Sequence, residues 1–136
     1  MLIILKRRSN ITICIDSIQF LDCQEALGIE NGAILDRQIT ASSQWGDDHA
    51  SFQGRLHFQA TANKVGSWSA ASNDPSQWLQ VDLGSQYTKV TRVATQGRDD
   101  APQWVTKYKL QFSDDGVTFH FYTEPRRIEN KVRIRL

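Results

Sequence analysis

The chain is 136 residues long, the size of one domain able to bury a single core and too short for a second full one. Its 16 Lys and Arg against 15 Asp and Glu leave a formal net charge of +1, which excludes a global field drawing it to nucleic acid or an acidic membrane and makes any electrostatic recognition local. Four Trp, six Phe and a 40% hydrophobic fraction exclude a disordered chain.

The opening stretch, MLIILKRRSNITICIDSIQFL, makes an awkward export signal. The apolar LIIL precedes the basic cluster, Asp16 interrupts the following apolar run, and no small-residue cleavage site follows. Neither apolar piece approaches the roughly 20 residues needed to cross a bilayer, so no transmembrane segment is expected. Asn10-Ile11-Thr12 is a glycosylation sequon of a kind that arises often by chance. A bridge between Cys14 and Cys23 would close a very short loop, and the cysteine count alone fixes neither redox state nor compartment. Residues 1–22 are therefore read as an N-terminal extension without an assigned role.

The segment GAILDRQITAS holds a short strand at most, and residues 44–75, rich in Gly, Ser, Asn, Asp and Ala, read as long loops. From residue 77 onward the period becomes two. In QWLQVDLG, Leu79, Val81 and Leu83 alternate with Trp78, Gln80 and Asp82, the pattern of a half-buried strand that Gly84 ends. KVTRVATQG supplies a β-branched run stopping at Gly97. WVTKYKLQF sets Trp104, Tyr108, Leu110 and Phe112 on one face against Lys107, Lys109 and Gln111 on the other. The SDDG turn then leads into Val117, Phe119 and Phe121 alternating with Thr118, His120 and Tyr122, so these last two strands are expected to pair antiparallel. NKVRIRL alternates once more and suits a final strand. With no helical periodicity over 12 or more residues and no internal repeat, the fold expected is an all-β antiparallel sandwich or barrel.

Seven blocks in order, LGIENGAILDRQITASSQW, GRLHF, SWSA, QWLQVDLG, KVTRVATQGR, WVTKYKLQFSDDG and FHFY, resemble the discoidin domain, also called the coagulation factor five/eight type C domain. The resemblance covers about residues 23–124 and leaves 125–136 as a divergent tail. It implies a jelly-roll-like (galactose-binding-like) β-sandwich whose spike loops hold a ligand at one end. It also implies an extracellular or cell-surface adhesion module that is not an enzyme, with a glycan, a cell-surface protein or an anionic phospholipid as partner. The family continues further than this sequence does and ends on a cysteine that pairs with one at the position of Cys23, so Cys23 lacks its usual partner and some C-terminal strands are expected to be missing. Such a bridge contributes on the order of 4 to 5 kcal/mol through chain entropy. Missing strands would leave an open sheet edge, so the alternative reading is an incomplete fragment that associates with another polypeptide through that edge.

By the resemblance, SSQWGDDHASF lies at the first spike. Trp45 is its contact candidate, because an indole ring enters a lipid interface or stacks on a sugar face; the competing role is a lid folded onto the sandwich end. Asp47 and Asp48 oppose insertion into an anionic bilayer. With His49 they admit calcium or sugar hydroxyls, although two adjacent acids fall well short of a calcium shell and turn formation competes. At the third spike, QGRDDAPQW, Arg98 offers a planar fork to an anion, while Asp99 and Asp100 compete for it internally. Lys64 belongs to the intervening loop, as a solvated charge or a contact. Arg55 reads as structural, its fork meeting loop carbonyls or an acid such as Asp74 or Asp82, and Trp68, Trp78, Asp82 and Trp104 read as framework. The acid pairs 47/48, 99/100 and 114/115 sit side by side in turns and do not face each other across a cleft. No phosphate loop, serine elbow or Cys/His metal set is present, so no catalytic constellation is expected.

Overall fold

In the computed structural model the structure describes residues 1–6, 26–84, 90 and 93–123, with the backbone alone for Leu2–Lys6. The described residues are all-β, with five strands and a few 3₁₀ turns. The strands are β1 (Leu2–Lys6), β2 (Ile39–Ala41), β3 (Trp78–Asp82), β4 (Lys109–Ser113) and β5 (His120–Phe121), in one sheet of order β2-β3-β1-β4-β5.

Alternation explains β3. Val81 is buried with Ile34 and Ile39, and Ile29, Leu79 and Leu83 pack against them, so the odd-numbered residues of the WLQVD run close the core that the sequence pattern assigns to them. β2 lies antiparallel beside β3, with Ile39 opposite Val81. β4 and β5 form the expected antiparallel hairpin. Its turn is held by Asp115, whose Oδ1 accepts the N–H groups of Val117 and Thr118 and the Ser113 hydroxyl.

Several expectations change. Leu2–Lys6, read as part of an extension, lies in the middle of the sheet, paired parallel with β3 on one side and β4 on the other. Parallel pairing requires a long crossover and leaves no local turn signature, which is why the sequence does not announce it. Val93–Gly97 of the KVTRVATQG run is in no strand. The pattern beginning at Trp104 becomes strand only at Lys109, because residues 98–103 form a closed loop in which the Arg98 N–H donates to the Gln103 carbonyl and the chain leaves it unpaired. Trp104, expected in the framework, is accordingly 68% exposed. Phe112, expected on the inward face with Leu110, is exposed beside the His120 ring, 5.8 Å between centroids. Strand β5 keeps only two of the residues in the VTFHFY alternation. The sequon, Cys14, Cys23 and the NKVRIRL strand lie outside the described residues.

Candidate binding loops

The loop end begins where β2 meets β3. The Ser42 and Ser43 hydroxyls both donate to the Gln77 side-chain oxygen, at 2.7 and 2.6 Å, and Gln77 in turn donates to Asp74. The Trp68 indole N–H donates to the Ser43 carbonyl, and the half-buried Trp78 begins β3, its N–H bound by the Ser42 hydroxyl. Asp82, at the far end of β3, accepts the Gly84 N–H through its carboxylate and the Gln38 amide through its carbonyl.

From this base the first loop projects. The Trp45 N–H donates to the Ser69 carbonyl at 2.8 Å, which fixes the backbone while the ring remains 70% exposed. The ring stands in solvent and does not lie as a lid. Asp47 and Asp48 start a 3₁₀ turn, Asp47–His49, as the competing turn role had it. The Asp48 carboxylate meets His49 Nδ1 at 2.8 Å, and that hydrogen bond, ahead of any other influence, holds the Asp48 carboxyl below the ordinary carboxylate range. His49 is buried, whereas Asp47 is exposed.

The three loops converge through backbone groups. Val65 donates to the Asp48 carbonyl at 3.0 Å. Gln53, 1% exposed, donates to both the Asp48 and the Val65 carbonyls at 2.7 Å and accepts the Ala50 N–H. Asp100 accepts the Gly66 N–H at 2.9 Å, and Asp99 lies 3.4 Å from the Ala60 nitrogen. A Cβ on Gly66 would stand 2.5 Å from the Asp99 Cβ and 2.9 Å from the Asp99 backbone nitrogen, so the approach of these two loops requires glycine there.

Arg98 turns its fork inward: Nε and Nη2 grip Asp100 at 2.7 and 2.8 Å, and Nη1 reaches Gln103 at 3.1 Å. Of the two roles open to it, internal pairing is the one the geometry has. The Arg98 contact, followed by the Gly66 N–H, holds the Asp100 carboxyl far below its usual value, and Asp100 raises the Arg98 guanidinium in return. Lys64 is exposed, its ammonium 4.8 Å from the Phe52 ring centroid in a cation–π contact.

Arg55 lies away from this cluster. It is 8% exposed, donates to the Ile29 carbonyl, and pairs with Asp36 at 2.6 Å. The acid it meets is therefore neither Asp74 nor Asp82; Asp74 accepts the Ser76 N–H and Gln77 instead. Beside the Arg55–Asp36 pair is a shallow cleft of about 360 Å³ lined by Gly32, Leu35, Asp36, Arg37 and Arg55, built from residues other than those of the loops. Among the described residues no three His, Cys, Asp or Glu side chains gather in a way that would hold a metal ion.

Sequence reasoning found the loops but missed what joins them. Gln53 carries no charge and sits in a loop without periodicity, so its three hydrogen bonds have no signature in composition; Gly66 is equally silent.

Comparison with known proteins identifies the family. Residues 38–135 match the family model of the F5/8 type C domain, which runs past the Glu124 limit of the quoted blocks into residues outside those described. Lactadherin of Sus scrofa is 42% identical over 118 residues, which cover 81% of this chain and 28% of lactadherin. Coagulation factor V of Sus scrofa is 38% identical over 116 residues, covering 81% of this chain and 5% of the factor. EGF-like repeat and discoidin I-like domain-containing protein 3 of Homo sapiens is 41% identical over 115 residues, covering 81% and 24%. The chain thus spans little more than a quarter of the length of the first of these relatives and less of the others.

Proposed function

Because the chain belongs to the F5/8 type C, or discoidin, domain family, whose fold is a β-sandwich, we propose that it is a non-catalytic, extracellular adhesion module presenting loops 44–52, 59–66 and 98–103 to a ligand. The observation that carries this reading is Trp45: a 70% exposed ring on a backbone already held by the Ser69 carbonyl is a contact surface presented before any ligand arrives.

The chemistry of the surroundings narrows the ligand. Asp48 and Asp100 are engaged by His49 and Arg98, but Asp47 and Asp99 remain exposed, and Arg98 is not free to grip a phosphate. An exposed indole in the same loop as the exposed Asp47 suits the apolar face of a sugar ring, with the carboxylate accepting from hydroxyls, or a protein surface of matching shape. Insertion into an anionic bilayer would bring those carboxylates toward like charge. The internal pairing of Asp48 and Asp100 lowers that opposition and keeps phospholipid as the second reading. That those two carboxylates already have partners supports a reading in which binding proceeds without calcium.

The test is a glycan array beside liposome sedimentation with and without phosphatidylserine, each with and without chelator, for the chain and for Trp45→Ala. Glycan binding lost in Trp45→Ala and unchanged by chelator is the expected result. Sedimentation dependent on phosphatidylserine and on Trp45 would transfer the site to lipid. Binding that survives Trp45→Ala would sink the reading.

A further inference from the structure

Among the described residues Arg55 and Arg98 are each held by a carboxylate, whereas Arg37 is exposed and has no hydrogen bond or ion pair. Its neighbours in sequence do not occupy it: Glu30 meets His57 at 2.7 Å, and Asp36 meets Arg55 at 2.6 Å. Arg37 lines the cleft of about 360 Å³ together with Gly32, Leu35, Asp36 and Arg55. This cleft sits at the other end of the β2–β3 pair from the Trp45 loop. The Asp36–Gln38 turn leads into β2, and Gln38 donates to the Asp82 carbonyl where β3 closes, while the loop leaves where Ser42 meets Trp78. We propose that the cleft is a second binding site, separate from the loops, for the carboxylate of an acidic sugar.

The Arg37 guanidinium is an unengaged planar fork, and a carboxylate meets such a fork with two parallel bonds. Asp36 supplies the complementary acceptor. Arg55 holds its Oδ1, yet the side chain is 64% exposed, so the carboxylate still has lone pairs for a hydroxyl. Arg55 itself, 8% exposed and bound to the Ile29 carbonyl, fixes that acceptor in place before a ligand arrives. Leu35, 39% exposed, gives the cleft an apolar contact for the carbon face of a ring, and at Gly32 even an added Cβ would meet nothing within 4 Å. The volume lies at the small end of the range for ligand clefts, room for one ring and not for a chain. Charge selects among anions. Asp36 and Arg55 cancel, which leaves the cleft the single positive charge of Arg37; a carboxylate matches it, and a doubly charged phosphate would crowd Asp36.

The full chain is titrated with D-glucuronate, and in parallel with D-glucose and with acetate, while backbone amide and arginine Nε–H chemical shifts are followed by NMR. Saturable shifts with glucuronate at Gly32, Leu35 and Arg37, with glucose and acetate each weaker by about tenfold or more, are the expected result. Arg37 is exposed and unpaired, so Arg37→Gln should keep the remaining spectrum and weaken glucuronate by a similar factor. Trp45→Ala should change nothing at this cleft, whatever it does to the loops. Equal binding of glucose overturns the carboxylate, and equal binding of acetate reduces the site to attraction of any anion. Undiminished binding in Arg37→Gln, loss in Trp45→Ala, or the absence of saturable shifts at these residues overturns the second site.

Discussion

Gln53 is 1% exposed, and both polar atoms of its amide are used: the oxygen accepts the Ala50 N–H, and the nitrogen donates to the Asp48 and Val65 carbonyls. Gln53→Leu keeps the volume and removes all three bonds, taking from the Ala50 N–H and the Val65 carbonyl the partner they have, while the Asp48 carbonyl keeps the Val65 N–H. The expected loss is about 1–3 kcal/mol, read as a lower urea midpoint with an unchanged slope. Gln38, in the Asp36–Gln38 turn, works the same way, accepting the Leu35 N–H and donating to the Asp82 carbonyl. At this scale the sequence is legible where a residue's chemistry admits few roles. The Arg55 guanidinium was expected on loop carbonyls and is found on that of Ile29, but its acid, Asp36, is 19 residues away and no spacing rule selects it over Asp74 or Asp82. An uncharged glutamine whose partners are carbonyls offers even less to read.

Between elements, the loops behave as one unit tied by Gly66 and Asp100. Gly66→Ala would force a Cβ against the Asp99 backbone, so the 98–103 loop must withdraw and its bond from Asp100 to the residue-66 N–H must break. An overpacking cost of about 1–3 kcal/mol is expected, with faster amide exchange at residues 60 and 66 and faster proteolysis within 98–103. Acid should loosen the same junction. The Asp100 and Asp115 carboxyls are both depressed in the folded state, the first by Arg98 and then Gly66, the second by the Thr118 and Val117 N–H groups. A carboxyl depressed on folding contributes stability in full above its unfolded value, near about 4, and loses that contribution as pH falls through the lower folded value. Unfolding midpoints should therefore hold from neutrality to about pH 5 and fall in more acid solution, and Asp115→Asn should flatten that fall while lowering the plateau. The elements themselves were legible in unequal measure. WLQVD declared itself because one face meets a core, whereas the equally regular run beginning at Trp104 misled, since alternation records only that a face is available and not that a partner strand lies beside it.

Across the whole molecule, the described sheet has two halves joined by β1, and the loop bonds from Gly66 to Asp100 form a second, weaker link from the β3 side toward the chain that leads into β4. If the ladders carry the coupling, a lesion in β1 should unequally affect the two sides. The β2–β3 pair keeps its core of Ile34, Ile39 and Val81, while the β4–β5 hairpin, with Phe112, Val117 and Phe121 exposed, buries little of its own and is marginal alone. Ile4→Pro removes an N–H from the middle of β1 and is incompatible with a strand paired on both sides. Amide exchange across Lys109–Ser113 should then accelerate by more than about tenfold, with Leu79 and Val81 changed far less, and urea unfolding followed by tryptophan fluorescence should separate from unfolding followed by circular dichroism. Equal acceleration on both sides would mean that the loops, not the ladders, hold the halves together. That outcome would make Gly66→Ala the more damaging of the two substitutions, so measuring both in one experiment decides which link the fold depends on.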